Sequence, residues 1–310
     1  MIEVRSISKF YGNKRAVENL SFTIRDGEIV GLLGLNGAGK STILKVLGCF
    51  LVPSHGDARV GGNSVLDAPD EVRRMIGYLP DTPPLYNEMT TKSYLRFVAK
   101  LKNVASEKVR SFVEEAMSKT NLHEVADVRL GELSHGFRQR VGIAQALVHQ
   151  PRVLILDEPI NGLDPIQIVE MRDMILSLKG RHTVILSSHI LSEITKTCDR
   201  ILVLDRGRLV AEGTESQLRG QVKQGFEVRI EVESFDPKLL EALRALNGVI
   251  EIRENRVQGL FLDIQCTVDI RGEIARTVIQ TGSKLLALGK KEAELETLFL
   301  KLIKSDGANS

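Results

Sequence analysis

Nowhere does the 310-residue chain contain an apolar run near the roughly 20 residues that span a bilayer. Its opening, MIEVRSISKF, also lacks the apolar stretch of a signal peptide. Both absences predict a protein that neither crosses a membrane nor is exported. Cysteine is scarce. Cys49, Cys198 and Cys266 are isolated in spacing, which argues against a disulfide framework or a zinc site and suits a reducing cytosol. No sign of charge dominates: 42 basic and 40 acidic residues leave a formal +2. A whole-molecule field toward nucleic acid or an anionic membrane is therefore missing, and no nucleic-acid partner is expected. Low-complexity tracts are also missing, although the terminal Ser-Asp-Gly-Ala-Asn-Ser reads as a frayed end. What remains is a soluble composition with 43% hydrophobic residues, enough for buried cores, at a length that suggests about two domains.

Strand patterns come first along the chain. Ile2 to Phe10 and Ala16 to Ile24 flank a Gly12-Asn13 turn, and Glu28 to Leu33 follows Asp26-Gly27. The last run is apolar throughout, as a strand buried on both faces should be. Ser106 is placed to cap a helix whose Val109, Phe112, Val113, Ala116 and Met117 fall on one stripe at helical spacing. That stretch belongs to a helical insert beginning near 90 and running to about 130, within a helical subdomain of about 90–150. Val153 to Leu156 and Thr183 to Ser187 are further short apolar runs, separated by a helix that starts at Asp164-Pro165. Strands alternating with helices predict a parallel α/β sheet. Ile201 to Gly213 reads as a hairpin about Asp205-Arg-Gly207.

From about 220 the texture changes. Arg219 to Gly225 is a polar linker, after which Phe226, Val228, Ile230 and Val232 alternate. A helix with Leu239, Leu240, Leu243 and Leu246 comes next, then strands near 248–253 and 260–266. A second helix (Ile274, Val278), a strand at 284–288 and a terminal helix (Leu295, Leu298, Phe299, Leu302) complete the order. A β-α-β-β-α-β succession predicts a small ferredoxin-like α+β domain over 225–304.

Chemistry concentrates in two places. Gly34-Leu-Asn36-Gly37-Ala-Gly39-Lys40-Ser41-Thr42 matches the phosphate-binding loop in full, between a buried strand and a helix. Glycines there let backbone N–H groups close around phosphates at a helix N-terminus, Lys40 sets a cation against the β- and γ-phosphates, and Ser41 can ligate Mg²⁺. The second place is Asp157-Glu158, at the C-terminal end of a buried strand, the edge of a parallel sheet where ligands bind. Asp157 can hold the metal and Glu158 can polarise water for attack on a γ-phosphate.

Lys40, Asp157-Glu158, the segment Leu133-Ser-His-Gly-Phe-Arg-Gln-Arg140, Asn161-Gly-Leu-Asp164 and Ser188-His189 together resemble, in order, the Walker A, Walker B, signature, D-loop and switch-histidine motifs of the ATP-binding-cassette ATPases. The resemblance covers about 1–220. It implies a P-loop cassette with a parallel core sheet, an antiparallel β subdomain and the helical insert, followed by the C-terminal domain. It further implies that two cassettes face each other, each nucleotide lying between one subunit's P-loop and the other's signature. Ser134 and Gly136 would then address a γ-phosphate held by the partner, with Ser134 also capping its own helix. Asp164 would communicate across the dimer while capping the helix it begins. Tyr11 falls where the family stacks an aromatic ring on adenine, with Val17 in the same pocket. His189 matches the histidine that contacts the γ-phosphate.

Two departures stand out. Asp81 occupies the position after Tyr-Leu-Pro where the family most often has Gln; it reaches a Mg²⁺ shell directly or through water, but is shorter and cannot donate. His135 and Phe137 replace the usual Gly and Gln of the signature. Asp81, the Pro83-Pro-Leu-Tyr86 stretch, Arg138-Gln-Arg140, the appended domain and Leu295-Glu-Thr-Leu-Phe299 together resemble the ATPase subunits of ABC-2-type exporters, including gliding-motility and drug-resistance types. The implied function is hydrolysis of ATP with Mg²⁺ by a homodimer that powers a separate membrane permease from the cytoplasmic face, the permease docking on the insert and the Asp81 loop. The alternatives are a non-transport ATPase of the family, or an ATP-gated regulatory subunit acting through 225–304.

Overall fold

The computed structural model describes residues 1–221, 226–234, 237–255 and 260–290. The expected terminal helix and most of the linker before 226 lie outside the described residues. The chain's described residues divide into two units, Met1–Leu218 and those from Arg219 to Lys290.

In the first unit, β1 (Ile2–Tyr11) and β2 (Lys14–Ile24) form an antiparallel pair across the Gly12-Asn13 turn. Next come β3 (Ile29–Leu33), α1 (Lys40–Leu47), β4 (His55–Val60), β5 (Asn63–Ser64), α2 (Pro69–Met75) and β6 (Ile76–Leu79). A helical stretch holds α3 (Thr91–Leu101), α4 (Ser106–Lys119) and α5 (His135–Leu147). The chain then returns through β7 (Val153–Leu156), α6 (Pro165–Ser177), β8 (Thr183–Ser188), α7 (Leu191–Thr197), β9 (Arg200–Asp205) and β10 (Arg208–Gly213). The helix α8 (Glu215–Gln221) contains the boundary between the units.

Two sheets result. The antiparallel one runs β2-β1-β4-β5; the central one runs β10-β9-β3-β8-β7-β6, parallel except for the β9–β10 hairpin. All five residues of β3 and all four of β7 are buried, which explains their unbroken apolar sequence: helices or a second sheet cover both faces. Residues of β1, β2, β4 and α1 share one core with the central sheet, including Ile2, Ile24, Leu44 and Ile155.

The helices α3–α5 have a core of their own, in which Val109, Val113, Ala116 and Met117 of the expected stripe are buried and Phe112 is half-buried. One local expectation is corrected. Ser106 is the first residue inside α4, and Ala105 precedes it without a side-chain cap. Asp164 caps α6 as its position suggests, its Oδ1 accepting from the N–H groups of Ile166 and Gln167 at 3.0 and 2.9 Å. The strand β6 before the insert pairs in parallel with β7 after it, so the insert interrupts the sheet without displacing it.

The second unit contains β11 (Phe226–Val232), α9 (Pro237–Arg244), β12 (Val249–Asn255), β13 (Phe261–Cys266), α10 (Arg271–Gln280) and β14 (Leu285–Lys290). Its antiparallel sheet has the order β12-β13-β11-β14, the arrangement of a ferredoxin-like split βαβ. Alternating Val228, Ile230 and Val232 meet Leu239, Leu243, Ile274 and Val278 of the two helices in a separate core.

Candidate functional site

Parallel register sets the site. Leu33 stands beside Ser188 and Leu156 beside Leu186, so the loops leaving β3, β7 and β8 open on the same sheet edge. The loop after β3 turns into α1 through Gly39, which has φ of 103°. A Cβ there would come within 2.7 Å of the Ala16 carbonyl, so the close passage of β2 beneath the loop requires glycine. Lys40 follows, buried, with its ammonium donating to the Gly34 carbonyl at 2.7 Å.

The same ammonium lies 3.2 Å from Glu158 Oε1. The other carboxylate oxygen, Oε2, accepts from Nδ1 of His189 at 3.0 Å. Glu158 has φ of 50°, the left-handed region that a side-chain-bearing residue occupies only when its surroundings hold it there. Its N–H donates to Ser187 Oγ at 2.8 Å, and the Ser187 hydroxyl donates to Asp157 Oδ1 at 2.6 Å. Ser41 also donates to that oxygen, at 3.2 Å. Burial pushes the Asp157 carboxyl above the ordinary range; the Ser187 and Ser41 bonds oppose the shift, and negative Glu158 and Asp81 add to it.

Lys40, Ser41, Glu158 and His189 line a cleft of about 520 Å³. Of the residues singled out by sequence, Tyr11, Asn36, Gly37, Gly39, Lys40, Ser41, Thr42, Asp81, Glu158 and His189 line it. Tyr11 stands half exposed at the rim, with the Lys9 ammonium 5.4 Å from its ring centre. Val17 is buried against Gly39, Gly34 lies behind the loop as the acceptor for Lys40, and Asp157 lies beneath. Ser134, Gly136 and Asp164 do not line the cleft. Ser134 caps α5 through Phe137 N–H at 3.4 Å.

Sequence reasoning passed over Lys14 and Arg15, which also line the cleft, gave no separate role to Leu35 of the phosphate loop or Asn161 of the D-loop match, which line it too, and missed Ser187, which bonds the Asp157 carboxylate and the Glu158 backbone N–H. A signal for Ser187 existed: a polar residue ending the apolar run of β8, at the ligand-binding edge.

The oxygen chemistry fits Mg²⁺. Ser41 Oγ and Asp157 Oδ1 converge beside the phosphate loop, and Mg²⁺ is usually held by one or two carboxylates together with substrate phosphates. Among the described residues no group of three or more His, Cys, Asp or Glu is placed to hold a metal ion.

The family model for ABC transporters matches residues 17–161. A Bacillus subtilis protein named as the uncharacterised ABC transporter ATP-binding protein YxlF is 38% identical over 98% of this chain and 99% of its own length. The chain belongs to the ABC transporter ATP-binding proteins. The bacitracin transport ATP-binding protein BcrA of Bacillus licheniformis is 31% identical over 98% of this ABC protein and 97% of the relative. Among solved structures, the dimeric post-hydrolysis state of the ATP-binding cassette MJ0796 bound to ADP and Pi superposes with a TM-score of 0.64 at 26% identity, covering 69% of this chain and 98% of that one. That cassette covers only part of this ABC protein, whereas YxlF and BcrA match it nearly end to end.

Proposed function

We propose that this ABC protein binds and hydrolyses ATP as a homodimer on the cytoplasmic face of the membrane and thereby drives a separate permease of the ABC-2 exporter type. The observation that carries the catalytic part is the convergence of Lys40, Glu158 and His189 on one cleft that Ser41 also lines, with Asp157 bonded to Ser41. Lys40 and the loop amides hold the phosphates, Ser41 and Asp157 would hold Mg²⁺, with Asp81 reaching it directly or through water, and Mg²⁺ would supply charge neutralisation on the phosphate oxygens.

Glu158 acts as the base. Its Oε1 faces the Lys40 ammonium at 3.2 Å and its Oε2 accepts from His189, and the two contacts orient the carboxylate in the cleft. So placed, Glu158 would orient and deprotonate water beside the phosphates. The His189 ring is held to Glu158 through Nδ1; a bond from its Nε2 to a γ-phosphate oxygen requires Nε2 to donate too, which the ring does when both nitrogens carry protons. Tyr11, with Val17 packed behind the loop, supplies the adenine-facing wall. Ser134, Gly136 and Asp164, which lie away from this chain's own cleft, serve the partner's nucleotide.

Two features support a separate permease. Among the described residues no helix is long and apolar enough to cross a membrane. A relative matched over nearly its whole length is named for bacitracin transport. Domain limits of 1–220 for the cassette, with its helical subdomain over about 90–150, and 225–304 for the accessory domain complete the reading. The test is steady-state ATP turnover by the purified chain with Mg²⁺. Lys40→Ala should abolish it, and Glu158→Gln should retain ATP binding while slowing turnover strongly. Turnover undiminished in Glu158→Gln would remove Glu158 from its role.

A further inference from the structure

The turn that carries Glu158 is braced from a second direction. His135, the first residue of α5, has Nε2 3.0 Å from the backbone carbonyl of Asn161. A carbonyl only accepts, so Nε2 bears the proton and donates. Asn161 in turn closes the turn opened by Glu158, its N–H donating to the Glu158 carbonyl at 3.1 Å, and both residues line the nucleotide cleft.

The imidazole also lies on the next residue, for a Cβ at Gly162 would meet Nε2 at 3.2 Å. Beside it, the space for a Cβ at Gly136 is filled by Gln167 Oε1 at 2.6 Å, from the first turn of α6. The start of α5 therefore rests on the stretch from Asn161 to Gln167 of the same chain. Glu158 itself holds a left-handed conformation, and such strain persists only when neighbours over-determine it. Ser187 fixes the N–H side of this residue. His135 fixes the far side, through Asn161.

We propose that His135 is a positioning residue for Glu158, acting within one chain: its Nε2–H donated to Asn161 holds the turn that presents the carboxylate to the cleft. The proposal rests on the reading of Glu158 as the base. It also gives the signature turn a second task besides serving the partner's nucleotide, because the cleft wall and the start of α5 move together.

The test compares the full-length wild type with His135→Leu, which removes the donor, and His135→Gln, whose amide nitrogen can donate from a similar reach. Steady-state ATP turnover with Mg²⁺ gives kcat and KM, and amide exchange read by mass spectrometry over 157–163 in nucleotide-free protein reads the turn alone. His135→Leu should lower kcat about two- to tenfold, the range one neutral hydrogen bond commands, with KM for ATP unchanged. It should also speed exchange at Asn161, and His135→Gln should restore both. Equal kcat in His135→Leu and wild type, an equal loss in both variants, or a raised KM at constant kcat would overturn the proposal. A wild type without turnover would instead defeat the assignment of the base, and exchange at Asn161 would still decide whether His135 holds the turn.

Discussion

Glu158 and Asp157 are adjacent in sequence yet differ in surroundings, and Ser187 is the atom-level reason they can. One hydroxyl donates to the Asp157 carboxylate and accepts from the Glu158 backbone N–H, so the same atom anchors one side chain and the neighbouring backbone. Ser187→Ala would leave the buried Asp157 oxygen with only the longer Ser41 bond, at a cost of about 1–3 kcal/mol for a poorly satisfied buried group. The expected result is a higher Mg²⁺ concentration for half-maximal turnover together with a lower kcat, with Ser187→Thr close to wild type; a Mg²⁺ titration of ATPase rate checks it. Lys40, Asp157 and Glu158 were legible because a phosphate loop and a strand-end acidic pair are local patterns. Ser187 and Asn161 could be seen only as a strand end and a motif member; their bonding roles come from contacts between segments about 30 residues apart, as between Asp157 and Ser187.

Elements carry the next layer. The turn into α1 depends on Gly39, whose φ of 103° and 2.7 Å approach to the Ala16 carbonyl leave no room for a methyl group. Gly39→Ala should lose ATP binding, measured by equilibrium titration with a fluorescent nucleotide, before it loses the fold. Asp164→Ala removes the α6 cap and should lower stability by about 1 kcal/mol in a urea melt.

The edge strand β6 is finished by side chains: Gln145 Nε2 donates to the Tyr78 carbonyl at 2.7 Å and His149 Nε2 to the Ile76 carbonyl at 3.1 Å. Burial, aided by the Lys102 charge, holds the His149 pKa down at about 4. Between that value and the ordinary value of about 6.5 the unfolded chain binds a proton that the folded one refuses. Stability should therefore fall as pH drops through this window, by roughly 3 kcal/mol in total, and His149→Gln should flatten the slope; urea melts at a series of pH values measure it.

Many elements were legible from period and turn residues, but β6, which brackets the insert with β7, was not. The start of α4 was misread because Ser106 has cap chemistry but lies one residue inside, where Ala105 provides the extended entry. The side-chain finish of β6 had no sequence signal, since only the fold brings α5 to that edge.

At the scale of the molecule, two separately cored units share one chain, and the relatives YxlF and BcrA match across both. The division was visible as a change from apolar parallel-strand runs to alternating strands near 220. The strand order of the second unit could only come from pairing over long separations, such as β11 with β14. If the cassette closes as a homodimer, the partner's Ser134 and Gly136 complete each site. Glu158→Gln, which binds without turnover, should then dimerise with ATP and Mg²⁺ and stay monomeric without them, as read by light scattering.

Coupling to a membrane partner is the central claim, and one measurement addresses it most directly: affinity purification of the tagged chain from detergent-solubilised native membranes, with co-purifying polypeptides identified by mass. A stoichiometric partner with several transmembrane helices is the expected result, and it would carry the substrate specificity. Recovery of the chain only from the soluble fraction, alone or with ribosomes or DNA, would contradict the transporter reading.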